Sequence, residues 1–510
     1  MSSSVIQLLI VASTFSLNVC EAKNVVMIPP LSKSYLIYHA NIGQALVELG
    51  HNVSICVPDY LANKRLVPHK EINIVKYGEY LGDVEALLYE KTQMIEKFWA
   101  GEIQTVSSLS PTIELFKDLI HQVLTDEAFI TTLRGLKPDF LVIENFMFTR
   151  NVLVLPYKLD VPFGLIGTMH DYFLSRIPFS PAVDPLVFNH ETDRKSFLQR
   201  VQATILSAVF TVYDMFTDSD VVSRYAPEKP DISIRDIALK AEIFITEIDH
   251  ILDYPRVTLT NTKLVGGSSV SEAKPLSGDI KHFVDKSPNG IVLVSFGGGD
   301  IYIPDHIRSK MSNAFLKLNL NVIWKINGTF EQDKILALNW IPQNDLLGHP
   351  KTKVFVSHCG KNGQYEVLYH GVPILCLPIY GDQFYNSKRI AVKEFGQYTD
   401  IREITSEKFT ELIQEIADDP KYRNNIQKAS KLFKELYKVP SKEAAYWFDH
   451  VMKYGGSYMR SSGQQMPLYQ YLLLDVIAFL FAALIATLFA LFIIIRLCWK
   501  LLTKYKVKKD

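Results

Sequence analysis

His358 opens the run His358-Cys359-Gly360-Lys361-Asn362-Gly363, with Glu366 three residues further on. An imidazole there can donate to a phosphate oxygen. Gly360 and Gly363 let a phosphate approach the backbone, where the start of a helix presents free N–H groups. Asn362 and Glu366 are four apart and share one helix face, so Glu366 can accept from both hydroxyls of a ribose. Upstream, Trp340 offers a flat face for stacking a base, with Gln343 as its polar neighbour. Downstream, Asp382 and Gln383 form an acceptor and donor pair for sugar hydroxyls. The set suits a nucleotide diphosphate carrying a sugar.

These side chains need a scaffold that brings them together. The apolar run Val354 to Val356, the break at His358-Cys359-Gly360, a helix-length segment stopped by Gly371 and Pro373, and a second apolar run from Ile374 predict strand, turn, helix, strand. That is the unit of a parallel sheet whose ligand lies beyond the carboxyl ends of its strands. A second glycine turn, Ser295-Phe296-Gly297-Gly298-Gly299, follows the apolar run Ile291 to Val294 and again suits close approach of a phosphate. Asn321 to Ile326 predicts a further strand. Near the amino end, Asn24 to Ile28, the helical spacing of Ile42, Leu46 and Leu49 before Gly50, and Asn52 to Val57 predict a β-α-β opening whose first turn spans Pro30 to Tyr35.

Trp-x-Pro-Gln, His-x-Gly-x-x-Gly-x-x-Glu and Asp-Gln-x-x-Asn stand in order and at the expected spacing, so the chain resembles the UDP-glycosyltransferases. The likeness runs over nearly the whole sequence. It implies an α/β fold of GT-B architecture, two facing Rossmann-like domains, with a C-terminal transmembrane helix. The implied ligands are a UDP-sugar as co-substrate, with no further cofactor or metal, and a small lipophilic acceptor. The donor set is Ser295, Gly297, Trp340, Gln343, His358, Gly360, Asn362, Gly363, Glu366, Asp382 and Gln383. The family usually carries a serine where Gly298 stands, so one hydroxyl donor is absent.

The catalytic positions depart from the family. Its base histidine lies in the first βα turn, and counting back from Gly50-His51 places Tyr35 there. A phenol of reference pKa about 10 is a poor base at neutral pH. His39, one helical turn on, is a substitute, although an ordinary helix histidine is the stronger reading of it. An amine nucleophile would need no base. The family's aspartate at the end of a following strand, which orients the histidine, is replaced by Glu144 at the end of Asp139 to Glu144. Helical segments between Val84 and Gly135 include Ile113, Phe116, Ile120 and Leu124 on one face, read equally as acceptor-pocket walls and as core. Pro162 to Ile166 and Ala241 to Thr246 read as strands, Met169 to Pro185 as an ordered loop, and Leu198 to Phe216 as an amphipathic helix.

A chain of 510 residues, 48% hydrophobic, exceeds a single core and has ample apolar content for two. With 54 basic and 54 acidic residues it is no nucleic-acid binder living on phosphate contacts. Cys56, Cys359 and Cys376 give neither a disulfide framework nor a metal spacing and read as buried thiols. The expected organisation is a signal peptide over 1–22, an acceptor-binding domain over 23–275, and a UDP-sugar-binding domain over 276–440. A return helix and juxtamembrane segment follow over 441–470, then a transmembrane helix over 471–496 and a basic tail over 497–510. The domain boundary falls in the Gly, Ser and Lys-rich stretch Gly266 to Gly278. Val476 to Ile495 is uncharged and spans about 30 Å as a helix. The lysines after it predict a cytosolic tail and luminal domains in the endoplasmic reticulum. Sequons stand at Asn52 and Asn327, the latter in the more turn-like context. A homo-oligomer is compatible with the sequence.

The leading expectation is an inverting transferase of a hexose or glucuronic acid. The alternative is a membrane-anchored member that binds UDP-sugar but transfers weakly or not at all, motivated by Tyr35. A nicotinamide oxidoreductase fits poorly, since the first βα turn lacks G-x-G-x-x-G.

Overall fold

The computed structural model describes residues 21–507, apart from 65, 103–109, 170–171, 187–191, 217–219, 299–300 and 329–332. The leader expected over 1–22 therefore lies, except for its last two residues, outside the described residues. Residues up to Tyr458 form one compact unit, and Met459–Asp510 form another.

The first unit holds two parallel sheets. β1 (Asn24–Ile28), β2 (Asn52–Pro58), β3 (Asn73–Tyr77), β4 (Phe140–Glu144), β5 (Phe163–Gly167), β6 (Phe244–Thr246) and β7 (Thr262–Leu264) run in the order β3-β2-β1-β4-β5-β6-β7. β8 (Ile291–Ser295), β9 (Asn321–Lys325), β10 (Ile335–Leu338), β11 (Thr352–Ser357), β12 (Ile374–Cys376) and β13 (Gly396–Tyr398) run β10-β9-β8-β11-β12-β13. The central strands are near-continuous Val, Ile, Leu and Phe because helices cover both faces; Ile291 to Val294 are wholly buried. In each sheet the order reverses once at the centre, between β1 and β4 and between β8 and β11, and the crevice beyond those strand ends is where open parallel sheets bind ligands. The residues that open there are those after Ile28, Glu144, Ser295 and Ser357.

Several elements differ from the sequence reading. The first helix begins at Lys33, so Tyr35 lies in its opening turn and not in a loop. The edge strands β3, β7, β10 and β13 are additions to the sequence reading; β7 and β13 are three residues long with one apolar residue or one aromatic each, too little to show as strands. The stretch after β7 is no loose linker at its start. Gly267 and Ser268 N–H donate to Glu247 Oε2 at 3.1 and 3.0 Å, and a Cβ on Gly266 would overlap the Tyr365 ring. Cys359 and Cys376 are not thiols but a disulfide, Cα–Cα 5.1 Å, joining the ends of neighbouring β11 and β12. Adjacency of strand ends, which spacing does not reveal, brings them into range. Cys56 remains a buried thiol.

The helix Pro440–Tyr454 returns to the amino-terminal sheet and packs along Lys33–Glu48. His51 Nε2 lies 3.0 Å from Asp449 Oδ1, and Phe448 fills the space that the missing side chain of Gly164 leaves on β5. In the second unit the helix Leu474–Val507 includes an apolar stretch of 29 residues, Leu474–Leu502, exposed along its whole length. At 1.5 Å per residue it outspans a hydrocarbon core of about 30 Å.

Candidate active site

A cavity of about 660 Å³ lies between the carboxyl ends of the two sheets, within the range that small-molecule sites occupy. One wall comes from β8, β11 and the helices after them, the other from the first helix, β4, β5 and the helices Val84–Thr92 and Ser110–Thr125.

His358 follows β11 and lines the cavity. Its ring is confined by two glycines: a Cβ on Gly297 would sit 3.0 Å from Cε1, and one on Gly360 would collide with Nε2. Gly297 has φ 92°, a left-handed conformation suited to glycine. Ser357 Oγ stands 3.2 Å from His358 Nδ1. Burial, reinforced by the charge of Lys325, lowers the imidazole to about 4, so it is neutral at physiological pH and can donate one N–H. Lys325 itself lines the cavity and donates to Gly297 O. Ser295 is wholly buried, and its hydroxyl accepts from Gly297 N–H at 3.4 Å, so it shapes the glycine turn from behind.

Gly360 is the N-cap of the helix Lys361–His370, which Gly371 ends in a left-handed conformation. Gly363 packs against Phe355, where a Cβ would be 3.3 Å from the ring. Asn362 Nδ2 donates to Ser34 O at 3.0 Å, tying the glycine turn to the opposite wall. Glu366 accepts from Gln343 Nε2, and burial raises its carboxyl to about 7. Trp340 is 72% exposed and borders the cavity beside Gln343. Asp382 accepts from Asn386 Nδ2 at 2.7 Å. Gln383 Oε1 accepts from Ile379 and Tyr380 N–H at 2.9 and 3.1 Å, leaving its amide as the group that can face a ligand.

On the other wall, Tyr35 lines the cavity together with Thr168. Burial and the nearby Glu144 push its phenol far above the ordinary value, so it keeps its proton at physiological pH. His39 and Glu144 do not line the cavity. They form a buried pair behind Tyr38, His39 Nε2 to Glu144 Oε2 3.0 Å, with the Tyr38 hydroxyl donating to the same oxygen. Burial lowers His39 to about 3 and raises Glu144 to about 8. Among the four helical positions read as pocket walls, only Phe116 reaches the cavity; Ile120 and Leu124 belong to the core. Lys325 and Lys361 also line it, and sequence reasoning did not single them out. Lys361 stood inside the glycine motif, and its place at the first turn of the helix was the available signal.

The whole of this framework, residues 24–509, matches the family model described as UDP-glucoronosyl and UDP-glucosyl transferase. The chain belongs to that family. This UDP-sugar glycosyltransferase is 27% identical over 478 residues to human 2-hydroxyacylsphingosine 1-beta-galactosyltransferase, covering 90% of this chain and 86% of that one. It is 26% identical over 486 residues to human UDP-glucuronosyltransferase 1A3, covering 92% and 90%. Among solved structures, the glycotransferase of kitacinnamycin superposes with TM-score 0.60 at 16% identity, covering 84% of this chain and 99% of that one. Phytolacca americana UGT2, solved with UDP-2fluoro-glucose and pterostilbene, gives TM-score 0.56 at 15% identity with the same coverage. The two-sheet arrangement of this glycosyltransferase is the GT-B fold.

Proposed function

We propose that this glycosyltransferase moves a hexose or hexuronic acid from a UDP-sugar to a small lipophilic acceptor with inversion at the anomeric carbon. The acceptor oxygen or nitrogen attacks that carbon from the side opposite UDP; the new bond forms as the carbon–phosphate-oxygen bond breaks. His358, the helix start after Gly360 and the turn at Gly297 stabilise the charge that builds on the β-phosphate. Trp340 stacks the base, Glu366 takes the ribose hydroxyls, and Asp382 and Gln383 hold the sugar. The supporting observation is that these groups meet at one cavity whose far wall is apolar, with Phe116, Phe146 and Phe148 offered to the acceptor. The apolar helix Leu474–Leu502 is read as the membrane anchor, with the sheets in the lumen of the endoplasmic reticulum and the basic tail in the cytosol. Calorimetry with UDP tests the donor site. A panel of UDP-sugars against phenols and amines, read by mass spectrometry, names the sugar and acceptor, and release of no UDP with any pair would refute transfer.

The second reading is a member that binds UDP-sugar without transferring it. It rests on Tyr35 at the base position and His39 withdrawn from the cavity. UDP binding with no product for any acceptor would favour it.

A further inference from the structure

The proposed reaction leaves one atom without a destination, the proton of a hydroxyl acceptor. Tyr35 holds its own proton too tightly, and the His39–Glu144 pair is sealed behind Tyr38. A basic nitrogen does reach the acceptor wall of the cavity. Lys361 is the first residue of the helix that begins at Gly360, and its side chain crosses from the donor wall to the acceptor wall, where Nζ donates to the carbonyl oxygen of Thr168. Thr168 and Tyr35 line the same wall of the cavity, so Lys361 reaches the wall that carries the family's base position. Asp382, assigned to the sugar, lines the same cavity as Lys361 and Tyr35 and is near enough for its charge to act on both.

We propose that Lys361 Nζ is the proton acceptor for the incoming nucleophile. This rests on the transfer reaction described above. As the acceptor oxygen bonds to the anomeric carbon, its proton passes to the neutral amine and the electron pair of the breaking bond leaves with UDP. The resulting ammonium returns the proton to solvent after product release. The donated N–H to Thr168 fixes the amine and leaves its lone pair for the nucleophile. Burial and the Arg389 guanidinium bring the Lys361 ammonium down to about 8 against the pull of Asp253, Asp382 and Glu247, and Glu144 lies within reach of the same charge. A useful fraction of the amine is therefore neutral at physiological pH, a fraction that grows as pH rises through 8.

The test uses the full chain in detergent, with UDP binding by calorimetry and transfer to two probes, 1-naphthol, neutral near pH 7, and pentafluorophenol, already ionised there. For Lys361→Met, kcat/KM with 1-naphthol should fall about 100-fold or more, and the rise of rate with pH near 8 should vanish. Pentafluorophenol should lose less than about tenfold. Lys361→Arg keeps the charge but cannot give up its proton, so it should fail like Lys361→Met. Equal losses for both probes, or an active Lys361→Arg, would overturn the assignment, as would loss of UDP binding in a folded Lys361→Met, which would make the lysine a phosphate ligand. Absence of UDP binding by the unsubstituted chain would instead overturn the donor site itself and the proton transfer with it.

Discussion

His39 Nε2 lies 3.0 Å from Glu144 Oε2, with the histidine wholly buried and the carboxyl nearly so. The pairing places both residues in the support of the first helix on β4, one layer behind the cavity. His39→Leu keeps the volume but leaves the buried carboxyl a partner short, which should cost about 1–3 kcal/mol of stability. Thermal unfolding measures the loss. The pH–rate profile of the folded variant should keep its shape; a profile that changes with stability intact would make His39 the base after all.

Tyr35 occupies the cavity wall where an imidazole would serve. A histidine there would face Thr168 with a reference pKa of about 6.5. In the Lys361→Met background, Tyr35→His should recover kcat with 1-naphthol by at least about tenfold, since a positioned base contributes about 10²- to 10⁴-fold. Steady-state kinetics on the single and double variants decide this. No recovery would mean that the wall around Tyr35 does not present the acceptor oxygen to that side chain.

Glu366 titrates at about 7 because it is buried, with Gln343 donating to it. Ribose hydroxyls donating to its ionised form would lower that value in the complex. Binding of UDP-glucose should then release a proton below pH 7, and affinity should rise with pH through 7 and level off above it. UDP-glucose contributes no titration of its own in that range. Calorimetry in buffers of different ionisation enthalpy reads the proton directly, and Glu366→Gln should flatten the dependence. Affinity independent of pH in the unsubstituted chain would take the ribose away from Glu366.

Gly360 leaves room for the His358 ring and no more. Gly360→Ala should push the imidazole out of line with the β-phosphate, with kcat falling about 10- to 100-fold, at or below the cost of losing one donor from such a site. Affinity for uridine, which carries no phosphate, should change little. If uridine binding falls as far as turnover, the substitution has disturbed the helix as a whole.

Central strands and glycine turns were plain in the sequence because a strand buried on both faces has to be apolar throughout, and a turn at a ligand has to shed its side chains. Ile291 to Val294 followed by Gly297, and Val354 to Val356 followed by Gly360, satisfy both demands. Edge strands were not plain: Gly396–Tyr398 needs only one buried face and three residues. Helical spacing marked Phe116 and Ile120 as one face but carried no information on which end of that face meets a cavity. Lys361 reads in one dimension as a solvated charge; its burial depends on loops from the other sheet, 193 residues away at Thr168. Ser295 was read as a ligand group, yet its hydroxyl is engaged by Gly297 N–H, a contact set by the curl of the turn. The Cys359–Cys376 bond arises from strand order, which no spacing rule encodes.

The helix Pro440–Tyr454 closes the amino-terminal sheet, and the His51–Asp449 contact spans 398 residues. During synthesis at about 5–20 residues per second, that interval is roughly 20–80 s. The seam along Phe140 and Gly164, which Phe448 covers, stands open for the shorter stretch from Gly164 to Phe448, roughly 14–57 s at that rate. A ribosome stalled before Pro440 would thus display a sticky, unfinished lobe, and chaperone residence on this chain should end only when the helix Pro440–Tyr454 emerges.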